Sequence, residues 1–215
     1  PTRRSSDLKR MIEPKHRKVN KWLLNIYINH ILKSDFSEVR ITGSVKPDDR
    51  PLLLVPNHFS WWDGFFMWYL NQKVFNKQFH IMMLESELRK HMFFAKVGAF
   101  SISPNTRSIV QSINFCQQVL NQSNNMLVMY PQGELQSQHH SDVVFRRGIE
   151  RILARTSSVQ IVFAACLTDY FTKRRPYLTI ALKEYNGEIS ISSIEDAYNN
   201  HLFECKMNQN KLYPR

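Results

Sequence analysis

The sequence predicts a single α/β domain, a mixed β-sheet flanked by helices, with an amphipathic helix at its amino-terminal side. Two short runs, Leu52–Val55 and Met126–Tyr130, are apolar on both alternating faces and stop at Pro56 and Pro131, as central strands covered on two sides should. Between and after them lie segments with helical spacing, such as Ile109, Ile113, Cys116 and Leu120. A chain of 215 residues that is 43% hydrophobic and 12% aromatic has the material for one sizeable core.

The elements follow in order. The opening PTRRSSDL reads as a translated library adapter, so residues 1–10 are set aside as a non-native leader with Met11 as the natural start. Its first eight residues carry two Arg and one Asp, and removing them takes the net charge from +11 to +10. Residues 11–35 are assigned to the amphipathic helix. Within Lys15–Lys33, the residues Lys21, Asn25, Asn29 and Lys33 recur every four positions as a polar stripe. Trp22, Leu23, Leu24, Ile26, Tyr27, Ile28, Ile31 and Leu32 fill the remaining faces. That pattern suits a helix lying among lipid headgroups, or one packing on the core, and one helix can do both.

Residues 36–215 are assigned to the α/β domain. Val39 and Ile41 alternate as a strand, Lys46–Arg50 is a turn, and Leu52–Val55 is the central strand. Gly64–Phe75 reads as a helix with Asp63 at its amino end, where a carboxylate is favoured. Strands follow at Phe79–Leu84, Met126–Tyr130, Ile161–Leu167 and Leu178–Leu182, with helices over Ser108–Leu120 and Val144–Ala154. The second of these helices carries Arg146, Arg147, Arg151 and Arg155. A capping-box pattern, Ser192 to Glu195, opens a closing helix. The helix between them and the right-handed crossover rule make the Leu52 and Met126 strands parallel, so both their loops open on one sheet edge and bring His58 and Glu134 together.

A pI near 9.7 calls for an anionic partner. Nucleic acid is not expected, because no helix-turn-helix, zinc-finger spacing or RNP-like aromatic strand occurs and the basic residues are mostly dispersed. An anionic membrane surface fits better, and the longest apolar-rich run near the start, Trp22–Leu32, is shorter than the roughly 18 to 20 residues of a membrane span. The expected placement is peripheral or monotopic, on the cytoplasmic face. Cys116, Cys166 and Cys205 are far apart and form no CxxC pair, which suggests neither a disulfide framework nor structural zinc. His139, His140 and Asp142 cluster in a polar loop, and no metal is expected there.

The chemistry concentrates where the Leu52 strand ends, in NHFSWWD, Asn57 to Asp63. An imidazole with a carboxylate five residues on can act as a general base whose tautomer and orientation the acid fixes. The same spacing occurs in NHILKSD, Asn29 to Asp35, which follows no strand and lacks the serine, so His30 is taken as a surface residue.

NHFSWWD resembles the NHxSxxD signature of the glycerolipid (lysophospholipid) acyltransferase family, 1-acylglycerol-3-phosphate acyltransferases among them. GAFSISPNTR, Gly98 to Arg107, is similar to that family's second block; YPQGELQS, Tyr130 to Ser137, resembles its FPEGTRS; and FRRG, Phe145 to Gly148, resembles the basic-x-glycine step after it. The resemblance implies His58 as general base and Asp63 as its partner. It also implies Asn57, Ser60, Gly98, Arg107, Gln132, Gly133, Glu134, Arg146 and Arg147 as substrate-binding residues. The donor would be an acyl thioester on coenzyme A or acyl carrier protein, serving as co-substrate with no resident cofactor, and the acceptor a lipid. Two departures stand out. Leu135 replaces the arginine of E-G-T-R, and Pro104 stands where the second block's arginine is expected, which points to an acceptor without a phosphate monoester. A 1-acylglycerol-3-phosphate acyltransferase proper, using Arg107, Arg146 or Arg147 instead, is the alternative. A hydrolase using Ser60 as nucleophile is disfavoured by the lack of a G-x-S-x-G elbow. A non-catalytic membrane-binding protein on the same scaffold is the reading from a different class.

Overall fold

The computed structural model describes residues 11–103, 106–156 and 158–212, with backbone alone for Thr106, Arg107 and Ser108. The assigned leader 1–10 and Pro104 lie outside the described residues.

The order of elements is α1 (Lys18–Asp35), β1 (Glu38–Thr42), β2 (Leu52–Pro56), α2 (Asp63–Leu70, continued by a π turn Asn71–Phe75), β3 (Gln78–Leu84), α3 (Glu85–Lys90) and β4 (Ala99–Ile102). Then come α4 (Thr106–Val119), β5 (Asn125–Val128), α5 (Gly148–Leu153), β6 (Gln160–Asp169), β7 (Tyr177–Tyr185) and α6 (Ile191–Leu212). The strands form one seven-stranded sheet in the order β1-β7-β6-β2-β5-β3-β4. All neighbours are parallel except β6 and β7, which pair antiparallel. The mixed sheet flanked by helices is thus the architecture the sequence predicts.

β2 is buried at every position because both of its faces are covered. Leu52 and Leu54 pack with Leu24, Ile28 and Leu32 of α1 and with Phe66 and Met67 of α2. Leu53 and Val55 face the opposite layer, with Cys116 of α4, Ile149 of α5 and Tyr198 of α6. Each such side chain contributes about 1.5 to 3 kcal/mol by leaving water.

α1 is turned in a way its sequence does not reveal. Only Leu24, Ile28 and Leu32 are buried, while Trp22 is 60% exposed and Leu23, Ile26 and Tyr27 are exposed beside it. Two residues of the polar stripe reach α2 and the π turn: Asn25 Oδ1 accepts the Trp68 indole N–H at 2.7 Å, and Nδ2 of the exposed Asn29 donates to Gln72 at 3.3 Å.

The helix assigned to residues 11–35 begins only at Lys18, because the chain ahead of it is bonded along β4 and to Ala95 and Lys96. Two later helix starts also differ from the expected ones. The helix expected over Val144–Ala154 begins only at Gly148, so Arg146 and Arg147 precede it. The reason is α6: Asn199 takes the Val143 C=O, which would accept the first bond of such a helix, and Asn199 and Glu195 hold the Val143 and Phe145 N–H groups in place outside it. Glu195 therefore closes no capping box. Ser190 caps α6 instead, its hydroxyl accepting the Ser193 N–H at 3.2 Å.

Residues ahead of α1 run across β4, with Ile12 and Ser101 exchanging bonds, and bring His16 against His80 at 3.0 Å between their Nε2 atoms. His80 Nδ1 faces the carbonyls of Gln78 and Met126, so its Nε2 accepts and His16 donates. Burial pushes both imidazoles down from 6.5 to about 4, and for His16 the neighbouring His80 and Lys21 act in the same direction. The unfolded chain therefore binds more protons than the folded one between those values. Urea midpoints should fall as the pH drops from 6.5 toward 4, with a shallower slope in His80→Gln; a midpoint flat across that window contradicts the assignment.

Candidate active site

The parallel register of β2 with β5, Leu54 opposite Val128, ends both strands at one level and sends their loops to the same edge. After Pro56 the chain is held by Asn57, whose side chain donates to Cys166 C=O at 2.8 Å and accepts the Cys166 N–H at 2.7 Å. This pair of hydrogen bonds to β6 fixes where His58 leaves the sheet.

Asp63 organises the next turn. It is the first residue of α2, yet its carboxylate reaches back into the loop: Oδ2 accepts His58 Nδ1–H at 2.7 Å, Phe59 N–H at 2.8 Å and Ser60 N–H at 2.9 Å. Only 2% of the Asp63 side chain is exposed, against 28% for His58. An acceptor-only carboxylate makes Nδ1 the protonated ring nitrogen, leaving the lone pair on Nε2, which has no hydrogen-bond partner among the described residues. The Ser60 hydroxyl accepts the Trp62 N–H at 3.1 Å, tightening the turn rather than meeting the imidazole.

The β5 loop supports His58 from the other side. The His58 N–H donates to Gln132 Oε1 at 2.5 Å, its C=O accepts from Gln136 N at 2.9 Å, and Gln132 Nε2 donates to Gln136 Oε1 at 2.9 Å. The imidazole stacks on Tyr130 at 4.3 Å between centroids. Burial first, and then the Asp63 charge, pushes the Tyr130 hydroxyl well up, so the ring stays a neutral phenol.

Glu134 does not join His58. Gly133 takes φ +70 and turns the chain, so Glu134 points outward and meets Arg146 Nη2 at 3.5 Å. A Cβ at Gly133 would lie 2.7 Å from Arg146 Cδ, so the glycine also makes room for that side chain, whose Nε donates to Gln132 C=O at 2.9 Å. Arg147 is exposed just before α5. Gly98 stands just before β4, whose first residue Ala99 is level with Val128, the last residue of β5. Its φ is +124, and a Cβ there would lie 2.1 Å from the Phe79 carbonyl oxygen, so its role is close packing. Arg107 lies in the first turn of α4, with its side chain outside the described residues.

Tyr130 and Gln136 are supporting residues that sequence reasoning did not single out. Their position immediately around the Pro131–Gly133 turn was the available signal. No cysteine offers a thiolate nucleophile, since burial pushes Cys116 up to about 12, Cys205 up to about 11 and Cys166 well above its ordinary value.

The family model described as Acyltransferase matches residues 38–167. Among solved structures, the chain is similar to the crystal structure of the 1-acyl-sn-glycerophosphate (LPA) acyltransferase PlsC from Thermotoga maritima. The TM-score is 0.62 at 15% sequence identity, covering 92% of this chain and 84% of that one, a likeness of fold. No curated protein matches the chain.

Asn57→Ala should lower stability by about 2 to 4 kcal/mol, because it leaves the buried N–H and C=O of Cys166 without partners. Ser60→Ala, which removes one half-buried bond, should cost about 0.5 to 1.5 kcal/mol. Denaturant midpoints of the two variants measure the difference, and equal losses would remove Asn57 from its anchoring role.

Proposed function

The chain belongs to the Acyltransferase family, and from that premise we propose a membrane-associated enzyme that moves an acyl group from an acyl thioester, on coenzyme A or acyl carrier protein, to a lipid hydroxyl. The observation that carries this reading is the His58–Asp63 bond of 2.7 Å with Nε2 left without a protein partner. Nε2 takes the proton of the acceptor hydroxyl while its oxygen attacks the thioester carbonyl. The tetrahedral intermediate collapses, the C–S bond breaks, and the imidazolium returns its proton to the departing thiolate. Asp63 holds the ring and stabilises its charged form, and no acyl-enzyme is needed.

A membrane surface is the natural source of such an acceptor. No helix among the described residues is long and apolar enough to cross a membrane. The exposed side of α1 instead supplies an apolar surface, flanked by Lys15, Arg17 and Lys18, that continues toward the site. Tyr27 meets Phe65 at 6.1 Å between ring centroids, and Phe65 meets Trp61 at 4.9 Å. Trp61 is 68% exposed and lies between His58 and Asp63 in the catalytic loop. This supports a peripheral or monotopic enzyme with its site at the edge of the lipid-facing surface.

The acceptor is read from the charges around the β5 loop. Leu135, where family members carry arginine, is 58% exposed, and Arg146 is already engaged with Gln132 and Glu134. An exposed leucine cannot make the bidentate contact that holds a phosphate monoester. The preferred acceptor is therefore a lipid or glycolipid hydroxyl without such a group.

His58→Ala should lower kcat/KM by about 10² to 10⁴ with the fold intact, while His30→Ala, on the exposed side of α1, leaves it unchanged. Full activity in a folded His58→Ala protein would end the assignment. For the acceptor, lysophosphatidic acid is competed against non-phosphorylated lipid alcohols at equal concentration with labelled donor. The alcohols should win; a win for lysophosphatidic acid that Arg107→Ala selectively abolishes would show that the phosphate-binding cation has moved to that position.

A further inference from the structure

The hairpin between β6 and β7 is the part of the carboxyl edge that the reaction above does not use. β6 pairs Ala164 with Pro56, the last residue of β2, and then continues to Asp169. At about 3.3 Å per residue, that extension carries the hairpin roughly 16 Å past the end of β2, on the edge where His58 stands. Pairing persists to Asp169↔Tyr177, so the projection is a two-stranded ribbon.

Its tip, Tyr170–Pro176, is both aromatic and basic. Tyr170 is 61% exposed, Phe171 is exposed at φ +43, and Lys173, Arg174 and Arg175 are exposed beside them. No acidic residue occurs between Asp169 and Glu184. The three cations and Ser37 line a shallow open concavity. Arg175 Nη1 donates to the carbonyls of Lys33 at 3.1 Å and Ser34 at 2.6 Å, and the Ser37 hydroxyl donates to Arg175 C=O at 2.7 Å. The tip is thereby fixed to the carboxyl end of α1, the helix whose outward side is apolar.

We propose that this tip is a second membrane contact, whose concavity holds the phosphate of an anionic phospholipid headgroup in the bilayer while Tyr170 sits at the interface. The inference rests on the membrane reading above and adds a second, charge-dependent anchor to the apolar one on α1. Cationic side chains near an anionic bilayer are each worth about a fivefold gain in partitioning, and amphipathic aromatics favour the headgroup zone. Two anchors joined by the Arg175 bonds fix the orientation of the site edge relative to the lipid, which a single helix lying in the interface does not.

The test uses the full chain, vesicles of phosphatidylcholine alone, and vesicles in which part of it is replaced by phosphatidylglycerol. Partitioning of the wild type is compared with Lys173→Gln/Arg174→Gln. The double variant should lose roughly 30-fold on the mixed vesicles, about fivefold per charge, and nothing on the neutral ones. Its KM for the acyl donor, measured with a water-soluble alcohol acceptor, should be unchanged. Equal binding of both proteins to mixed vesicles overturns the hairpin contact while leaving the α1 contact in place. A raised donor KM with unchanged vesicle binding overturns it too, and assigns the cations to phosphates of the donor. Failure of the wild type to bind either vesicle overturns the membrane reading together with this one.

Discussion

A buried carboxylate cannot be left without hydrogen-bond donors, and the loop after β2 is shaped by that requirement. Asp63 is nearly inaccessible, and its Oδ2 gathers the imidazole N–H of His58 and the backbone N–H groups of Phe59 and Ser60. An uncompensated charge there would cost several kcal/mol, so the loop folds back over the start of α2 instead of running on into it. His58 is the side chain this constraint orients. Asn57 then ties the loop to β6 and Gln132 ties it to β5, so three adjacent strands set the position of one ring.

This arrangement explains what was legible in the sequence. The doubly apolar runs at Leu52 and Met126 identify central strands because burial on both faces leaves no room for alternation. His58 and Asp63 could be paired because their contact is local, closed within one turn. Glu134 could not be separated from Gln132 by the same means, since the left-handed Gly133 decides which of them reaches the His58 backbone. The late start of α5 was equally hidden: Asn199, far along the chain in α6, takes the Val143 C=O that a longer helix would use, and Glu195 holds the Phe145 N–H beside it. The orientation of α1 depends on Trp68 having an indole N–H that Asn25 can accept. Helical periodicity carries no information about such a partner.

The same turn of α1 connects the fold to the function. With its asparagines directed at α2 and the π turn, the helix leaves Trp22, Leu23, Ile26 and Tyr27 outside, an apolar surface that an ordinary core helix would have buried. Phe65 joins that surface to Trp61 in the loop that carries His58, so the apolar face and the imidazole share a border. On the proposed reading, an acceptor with a long acyl chain approaches His58 from this apolar side and a water-soluble thioester from the open carboxyl edge of the sheet.

Direct transfer through a single base is the step on which the functional reading turns: the Ser60 hydroxyl accepts the Trp62 N–H, and burial keeps all three thiols protonated. The decisive measurement is mass spectrometry of both protein and lipid after purified protein is incubated with an isotope-labelled acyl thioester and a total lipid extract. Label should enter a lipid ester in step with thiol release, with the protein at its unmodified mass throughout. Label on the protein, or in free fatty acid alone, would contradict it.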